Sequence, residues 1–112
     1  MTIFVRGDVI EVPFPGETAD DGKKTAVVVS PMDLQRTHGL LWVVPVTKQE
    51  EPGRHGDLPI LDSAVAGVAP GSVIRTACLA TVPSESARRI GRISGPLLGR
   101  TLGQIVGALG RL

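Results

Sequence analysis

The sequence predicts a small, mostly β (α+β) domain: a barrel or half-open roll of five or six short strands, with one C-terminal helix covering a face. Three observations predict it. Short β-branched, apolar runs recur between polar or Gly/Pro-rich segments along most of the chain. Prolines sit at or near the ends of these runs, where a missing N–H does least harm to a ladder. Only the C-terminal segment carries a helical apolar period. At 112 residues, the chain is one domain, 1–112, able to bury a single core.

Asp8–Phe14 (DVIEVPF) reads as the first strand, its end on an edge or leaving the sheet because of Pro13 and Pro15. Gly16–Lys23 is a polar loop with three carboxylates, and Thr25–Ser30 (TAVVVS) a central strand buried on both faces. Asp33–Gly39 is a short helical turn or loop. Leu40–Thr47 (LLWVVPVT) is the third strand, with Pro45 suggesting an edge or a bulge. A second polar loop, Lys48–Asp57, precedes a short strand at Leu58–Leu61 and a small-residue connection at Ala64–Gly71. Ser72–Val82 (SVIRTACLATV) is the longest β pattern, and Ile90–Ile93 a short extended piece.

Ser94 then caps a helix from about Pro96 to Leu109. Leu98, Leu102, Ile105, Leu109 and Leu112 form one apolar stripe on it. Gly99, Gly103 and Gly107 form a neighbouring stripe, each costing about 1 kcal/mol relative to alanine. Close backbone approach to the barrel or to a second subunit accounts for them, and so does a plain compositional bias towards glycine.

Composition removes several function classes. At 42% hydrophobic and 21% charged, the chain is close to the average soluble globular protein and is not disordered. Arg100, Gln104 and Arg111 interrupt the longest apolar region, and the N-terminus lacks an uninterrupted apolar run, so no membrane span or signal peptide is expected and residence is expected to be cytoplasmic. Net charge is +1, but residues 1–62 carry six Lys/Arg against ten Asp/Glu, and residues 63–112 six Arg against Glu85 alone. Such a division gives either two faces of opposite sign or a solvated scatter.

Phosphate-binding glycine motifs, paired-cysteine zinc spacing and a Gly-x-Ser-x-Gly elbow are all missing. His38 and His55 have no acidic partner at metal-ligand spacing, so no metal or other cofactor is expected. The lone Cys78 reads as a small buried core residue rather than a nucleophile. With only Phe4, Phe14 and Trp42 as aromatics, a platform stacking several bases is excluded. Any RNA contact must use charge, hydroxyls and backbone.

Four segments carry more information together than apart: Arg6–Phe14 (RGDVIEVPF), Lys23–Ser30 (KKTAVVVS), Trp42–Thr47 (WVVPVT), and Ser72–Arg75 with Leu79–Val82 and Ile90–Ser94 before the helix. In this order and spacing the chain resembles the MazF/PemK family, the toxin endoribonucleases of bacterial type II toxin–antitoxin modules, from Arg6 to the last helix. The resemblance implies an SH3-like barrel that forms a homodimer, is silenced by a cognate antitoxin protein, and cleaves single-stranded RNA without a metal. The RNA 2′-OH would attack the adjacent phosphate, leaving a 2′,3′-cyclic phosphate. Such chemistry needs a base, an acid and donors for the phosphorane's charge.

Residue by residue, the family's catalytic arginine at the opening of the second strand falls on Lys24, its threonine or serine ending the third strand on Thr47, and a later-strand arginine on Arg75. Lys23, Lys48, Arg54 and His55, in or beside the two polar loops, are the expected RNA contacts. Two departures stand out. Lysine at 24 lacks arginine's planar grip on phosphate, and Ala77 stands where some members carry an aspartate. Glu17, Asp20, Asp21 and His55 are the loop groups available to replace it, and the acidic Glu17–Asp21 stretch is expected to act as a mobile gate. Without the resemblance, Lys24 reads as a solvated charge flanking a buried strand and Thr47 as a β-former at a strand end. Arg88, Arg89 and Arg92 read as a salt-bridged surface cluster, with an RNA or antitoxin contact as the minority reading. The alternative function is a non-catalytic or weakened member acting as an RNA- or protein-binding module, or as a topoisomerase poison.

Overall fold

A computed structural model describes residues 2–13, 23–48 and 56–110. Seven strands form one antiparallel sheet: β1 (Asp8–Val12), β2 (Lys24–Val28), β3 (Leu40–Lys48), β4 (Asp57–Pro59), β5 (Ser72–Arg75), β6 (Ala80–Pro83) and β7 (Arg88–Arg92). Among the described residues, three α-helices, α1 (Met32–His38), α2 (Ser63–Ala66) and α3 (Gly95–Leu109), and a 3₁₀ turn at Ser84–Ser86 accompany them. The ladder runs β4-β5-β3-β2-β1-β7, with β6 also on β3. No helix among the described residues is long and apolar enough to cross a membrane.

Alternation along the central strands fills two cores. Val9, Val27, Val44 and Ile74 point to one face and meet Leu97 of α3. Ile10, Val12, Ala26, Val28 and Val43 point to the other, where Phe4, Leu41 and Val82 join them. Thus β2 is buried on both faces, as its unbroken apolar run requires. Phe4 is held by α1: the Gln35 side chain accepts from Phe4 N–H at 2.9 Å and donates to the Thr2 carbonyl at 2.7 Å.

The expected single strand Ser72–Val82 is two strands on the same edge of β3, and the longest strand is β3 itself. Val46 faces Ile74, whereas Val43, three residues earlier, faces Ala80, six residues later, so three extra residues are looped out between β5 and β6. Pro45 explains the place. Trp42 directs its N–H and C=O towards the β2 side, taking Ser30 Oγ at 3.1 Å and Val29 N–H at 2.9 Å. With period two, Pro45 turns its nitrogen to the opposite edge, opposite Arg75 by continuation of the register. It has no N–H to give, and the Arg75 carbonyl accepts from Cys78 N–H instead, at 3.2 Å. Pro45 therefore marks neither an edge strand nor a bulge in β3, but the point where its partner is interrupted. Cys78 lies in that interruption, half-buried rather than in the core as expected.

The β1 strand stops at Val12 as Pro13 leaves the sheet, and the fourth strand starts one residue earlier than expected, at Asp57. The small-residue connection contains the single turn α2. Its purpose is close packing: a Cβ on Gly67 (φ +74°) would collide with the Ile90 carbonyl, and one on Gly91 with the Ala66 carbonyl. Backbone meets backbone there, bringing the β4 side of the sheet onto β7 without a ladder.

Buried Asp8 ties β1 to the far edge. Its carboxylate accepts from Val5 N–H at 2.9 Å and pairs with Arg89 at 3.2 Å and Arg92 at 3.0 Å. Arg88 pairs with Glu11, and Arg89 also covers the Phe4 ring. The arginine cluster is thus a salt-bridged patch fastening β7.

Ser94 Oγ accepts from Leu97 N–H at 3.2 Å and opens α3 as expected. The buried face is Leu97 and Thr101, with Leu98, Leu102 and Ile105 half-buried, while Leu109 is 59% exposed and Leu112 lies outside the described residues. Gly99, Gly103 and Gly107 face open space, so close approach to the sheet is not their purpose.

Gly91→Ala is expected to destabilise the fold by about 1–3 kcal/mol, as overpacking does, because both colliding atoms are backbone. Urea unfolding of the variant measures it. An unchanged midpoint would contradict closure by backbone contact.

Candidate functional site

Register places the three expected site residues on one face of the sheet. Thr25 faces Val46, so Lys24, at the mouth of β2, lies opposite Thr47 near the end of β3. Thr47 faces Val73 on β5. Since Val27, Val44, Val46 and Ile74 point into the core beneath α3, Lys24, Thr47, Val73 and Arg75 point to the other face. Directly opposed residues have Cβ atoms about 4.5–5.5 Å apart, and the Thr47–Arg75 diagonal is about 7–8 Å. Lys24 and Lys48 are exposed, Thr47 is half-buried, and Lys23 is exposed beside them. Arg54 and His55 lie outside the described residues, as do Glu17, Asp20 and Asp21 of the expected gate.

Arg75 is not an open cation. It faces Asp57 across β4 and β5. Its Nε donates to Asp57 Oδ1 at 3.3 Å and its Nη2 to Oδ2 at 3.1 Å, with both side chains only 8% exposed. Ala77 therefore does not leave Arg75 without a carboxylate, because the neighbouring strand supplies one. The sequence offered no signal for Asp57: it reads as the end of a polar loop, and only the β4–β5 register brings it opposite Arg75. Gly56, at φ +89°, makes the preceding turn, and its carbonyl accepts from Thr76 Oγ1 at 3.0 Å.

A cleft of about 500 Å³ lies on the other face of the β4–β5 pair, between Gly56, Leu58 and Thr76 and the α3 residues Arg100, Gly103 and Gln104. It contains none of Lys24, Thr47 or Arg75. Among the described residues, no three His, Cys, Asp or Glu converge to hold a metal ion. The chemistry that the Lys24–Thr47–Arg75 face offers is an ammonium, a hydroxyl and a guanidinium near one another. Such a set suits a phosphodiester.

Because each member of a buried pair leaves an uncompensated charge when its partner goes, Arg75→Ala is expected to cost about 3–5 kcal/mol. The double variant Asp57→Leu/Arg75→Leu is expected to lose less than the two single changes together. A double-mutant cycle in urea reads the coupling, and additive losses would contradict the pair's burial.

Comparison with known proteins extends this geometry. Among solved structures, the MazE–MazF complex from Deinococcus radiodurans matches with a TM-score of 0.78 at 20% identity, covering 98% of each chain. An endoribonuclease in complex with its cognate antitoxin from a mycobacterial species gives a TM-score of 0.73 at 18% identity, over 98% of this chain and 96% of that one. The Mycobacterium tuberculosis toxin MazF-mt6 gives 0.70 at 17%, over 92% and 96%. At such identities these likenesses establish the fold: a mostly β sheet with a C-terminal helix, shared with MazF. A comparison with curated proteins finds no match. The family described as PemK-like, MazF-like toxin of type II toxin–antitoxin system matches residues 5–108, nearly the whole chain, and the protein belongs to that family.

Proposed function

We propose that this chain is a toxin endoribonuclease that cleaves single-stranded RNA at the Lys24–Thr47–Arg75 face, without a metal. The observation that carries the reading is the register, which puts those three residues on one face of the sheet. That the mycobacterial structural neighbours are endoribonucleases supports it. In the reaction, the RNA 2′-oxygen bonds to the adjacent phosphorus and loses its proton. The bond from phosphorus to the 5′-oxygen breaks, and that oxygen takes up a proton, leaving a 2′,3′-cyclic phosphate and a 5′-OH.

Lys24 and Arg75 supply positive charge where the phosphorane gains negative charge, and Thr47 Oγ1 donates one hydrogen bond to a phosphate oxygen. Lys23 and Lys48, exposed beside the face, hold the flanking backbone, and Arg54 and His55 are further RNA contacts in this reading. The working form is a homodimer, silenced by a cognate antitoxin protein, and its release in the cytoplasm arrests growth; a structural neighbour that is an endoribonuclease in complex with its cognate antitoxin supports the antitoxin partner. Exposed Val106 and Leu109 beside the open glycine stripe of α3 support a dimer contact on the helix.

A second reading, a member that binds RNA without cutting it, is favoured by the burial of Arg75 against Asp57. Incubating a long single-stranded RNA with the protein in EDTA separates the two. Cleavage into fragments ending in cyclic phosphate is expected, and Thr47→Ala is expected to slow it about 10²–10³-fold, as loss of one transition-state donor does. Lys24→Arg is expected to retain cleavage and Lys24→Ala to abolish most of it. Binding with no cleavage at enzyme excess would select the second reading.

A further inference from the structure

We propose that Asp57 is a positioning residue for this site: its carboxylate orients the Arg75 guanidinium on the face that carries Lys24 and Thr47. The inference deepens the RNA-cleaving reading and rests on it. An arginine at a strand end has four rotatable side-chain bonds and many rotamers, so its planar head is not placed by the backbone alone. Here two parallel bonds to Asp57 fix both the plane and the rotation of that head.

The partner is itself held from several sides. Asp57 lies directly opposite Arg75 in the ladder, and its short side chain has few conformers. On one side of it, the Gly56 carbonyl accepts from Thr76 Oγ1, the residue next to Arg75. On the other, Leu58 is buried in the core and faces Ile74. Beyond Arg75, its own carbonyl is taken by Cys78 N–H because Pro45 offers no donor. The guanidinium is thus referred to rigid backbone on two strands.

RNA binding alone gives no electrostatic reason for a carboxylate here. An anion beside a phosphate-binding cation opposes RNA binding by Coulomb repulsion, and this one is almost wholly buried. That opposition makes the sign of the effect diagnostic. If Asp57 is merely a nearby charge within a structural pair, neutralising it tightens RNA binding and spares turnover. If it aims Arg75, neutralising it impairs the site despite the gain in positive charge.

The experiment compares wild type, Asp57→Asn and Asp57→Glu in two assays, with a thermal melt as control for folding. One assay is cleavage of single-stranded RNA in EDTA. The other is binding of the same sequence with 2′-deoxy residues, which cannot be cut by this chemistry. Asp57→Asn is expected to lower kcat by about 10²-fold, the cost of misplacing a catalytic group by about 1 Å. It is expected to leave KM nearly unchanged and to bind the deoxy oligonucleotide no more tightly than wild type. Asp57→Glu is expected to recover part of the lost turnover.

Turnover of Asp57→Asn equal to wild type, or tighter binding of the deoxy oligonucleotide, would overturn the positioning role while leaving the nuclease reading intact. A wild type that neither cuts nor binds RNA would overturn both. Should the wild type bind without cutting, weaker binding by Asp57→Asn upholds the role and tighter binding removes it. If Asp57→Asn does not fold, Asp57→Glu decides: full wild-type turnover in a folded Asp57→Glu rejects a requirement for this geometry, and a partial loss sustains it.

Discussion

Everything in this sheet is referred to one strand with one defect. β3 is nine residues long and pairs with β2 along one edge and with both β6 and β5 along the other. Pro45 removes a single donor from that second edge, and the partner chain is looped out opposite it. Two consequences follow for function. β5 ends at Arg75, where the ladder cannot continue. And Thr47, two residues beyond Pro45 on β3, keeps a regular register with β2 and β5, so that it lies between Lys24 and the arginine. A local deletion of one N–H is thereby converted into the placement of a charged side chain.

The two ends of the sheet are managed by different physics. At the α2–β7 crossing, glycines let backbone rest on backbone where any side chain would intervene. At β1–β7, a fully buried aspartate is satisfied by two arginines and a backbone N–H. Buried carboxylates of this kind need several donors, and β7 supplies them from Arg89 and Arg92, three positions apart, across a register shift in the β1–β7 pairing. Neither device uses Lys24, Thr47 or Arg75, because the crossings involve β7 and α2 rather than the strand ends that carry those residues.

Much of this was legible in the sequence, and the rest was hidden for identifiable reasons. The buried run of β2, the Ser94 cap and the turn of the chain at Pro13 are local facts, written in propensity and period. The split of Ser72–Val82 is not local: TACL reads as strand, and only the missing donor on Pro45, about thirty residues away, interrupts its pairing. How far the burial of α3 runs is not local either, since apolar period shows a stripe but not how far the sheet extends beneath it, and Leu109 at the end of the stripe is exposed. Asp57 was invisible, because a cross-strand ion pair depends on register, and register between β4 and β5 depends on the whole of the intervening α2 crossing. The placement of Lys24 opposite Thr47 could be read once β2 and β3 were paired. The burial of Arg75 could not.

The chain therefore belongs to the MazF-like toxins in family and fold, and the neighbouring strand brings a carboxylate to Arg75. The measurement that tests the account most directly is a structure of the protein with a single-stranded RNA made uncleavable by 2′-deoxy substitution. The account predicts one phosphate within hydrogen-bond distance of Thr47 Oγ1, with the Lys24 ammonium and the Arg75 guanidinium on either side of it. A phosphate seated instead in the cleft between Gln104 and Thr76, with Thr47 uncontacted, would contradict it.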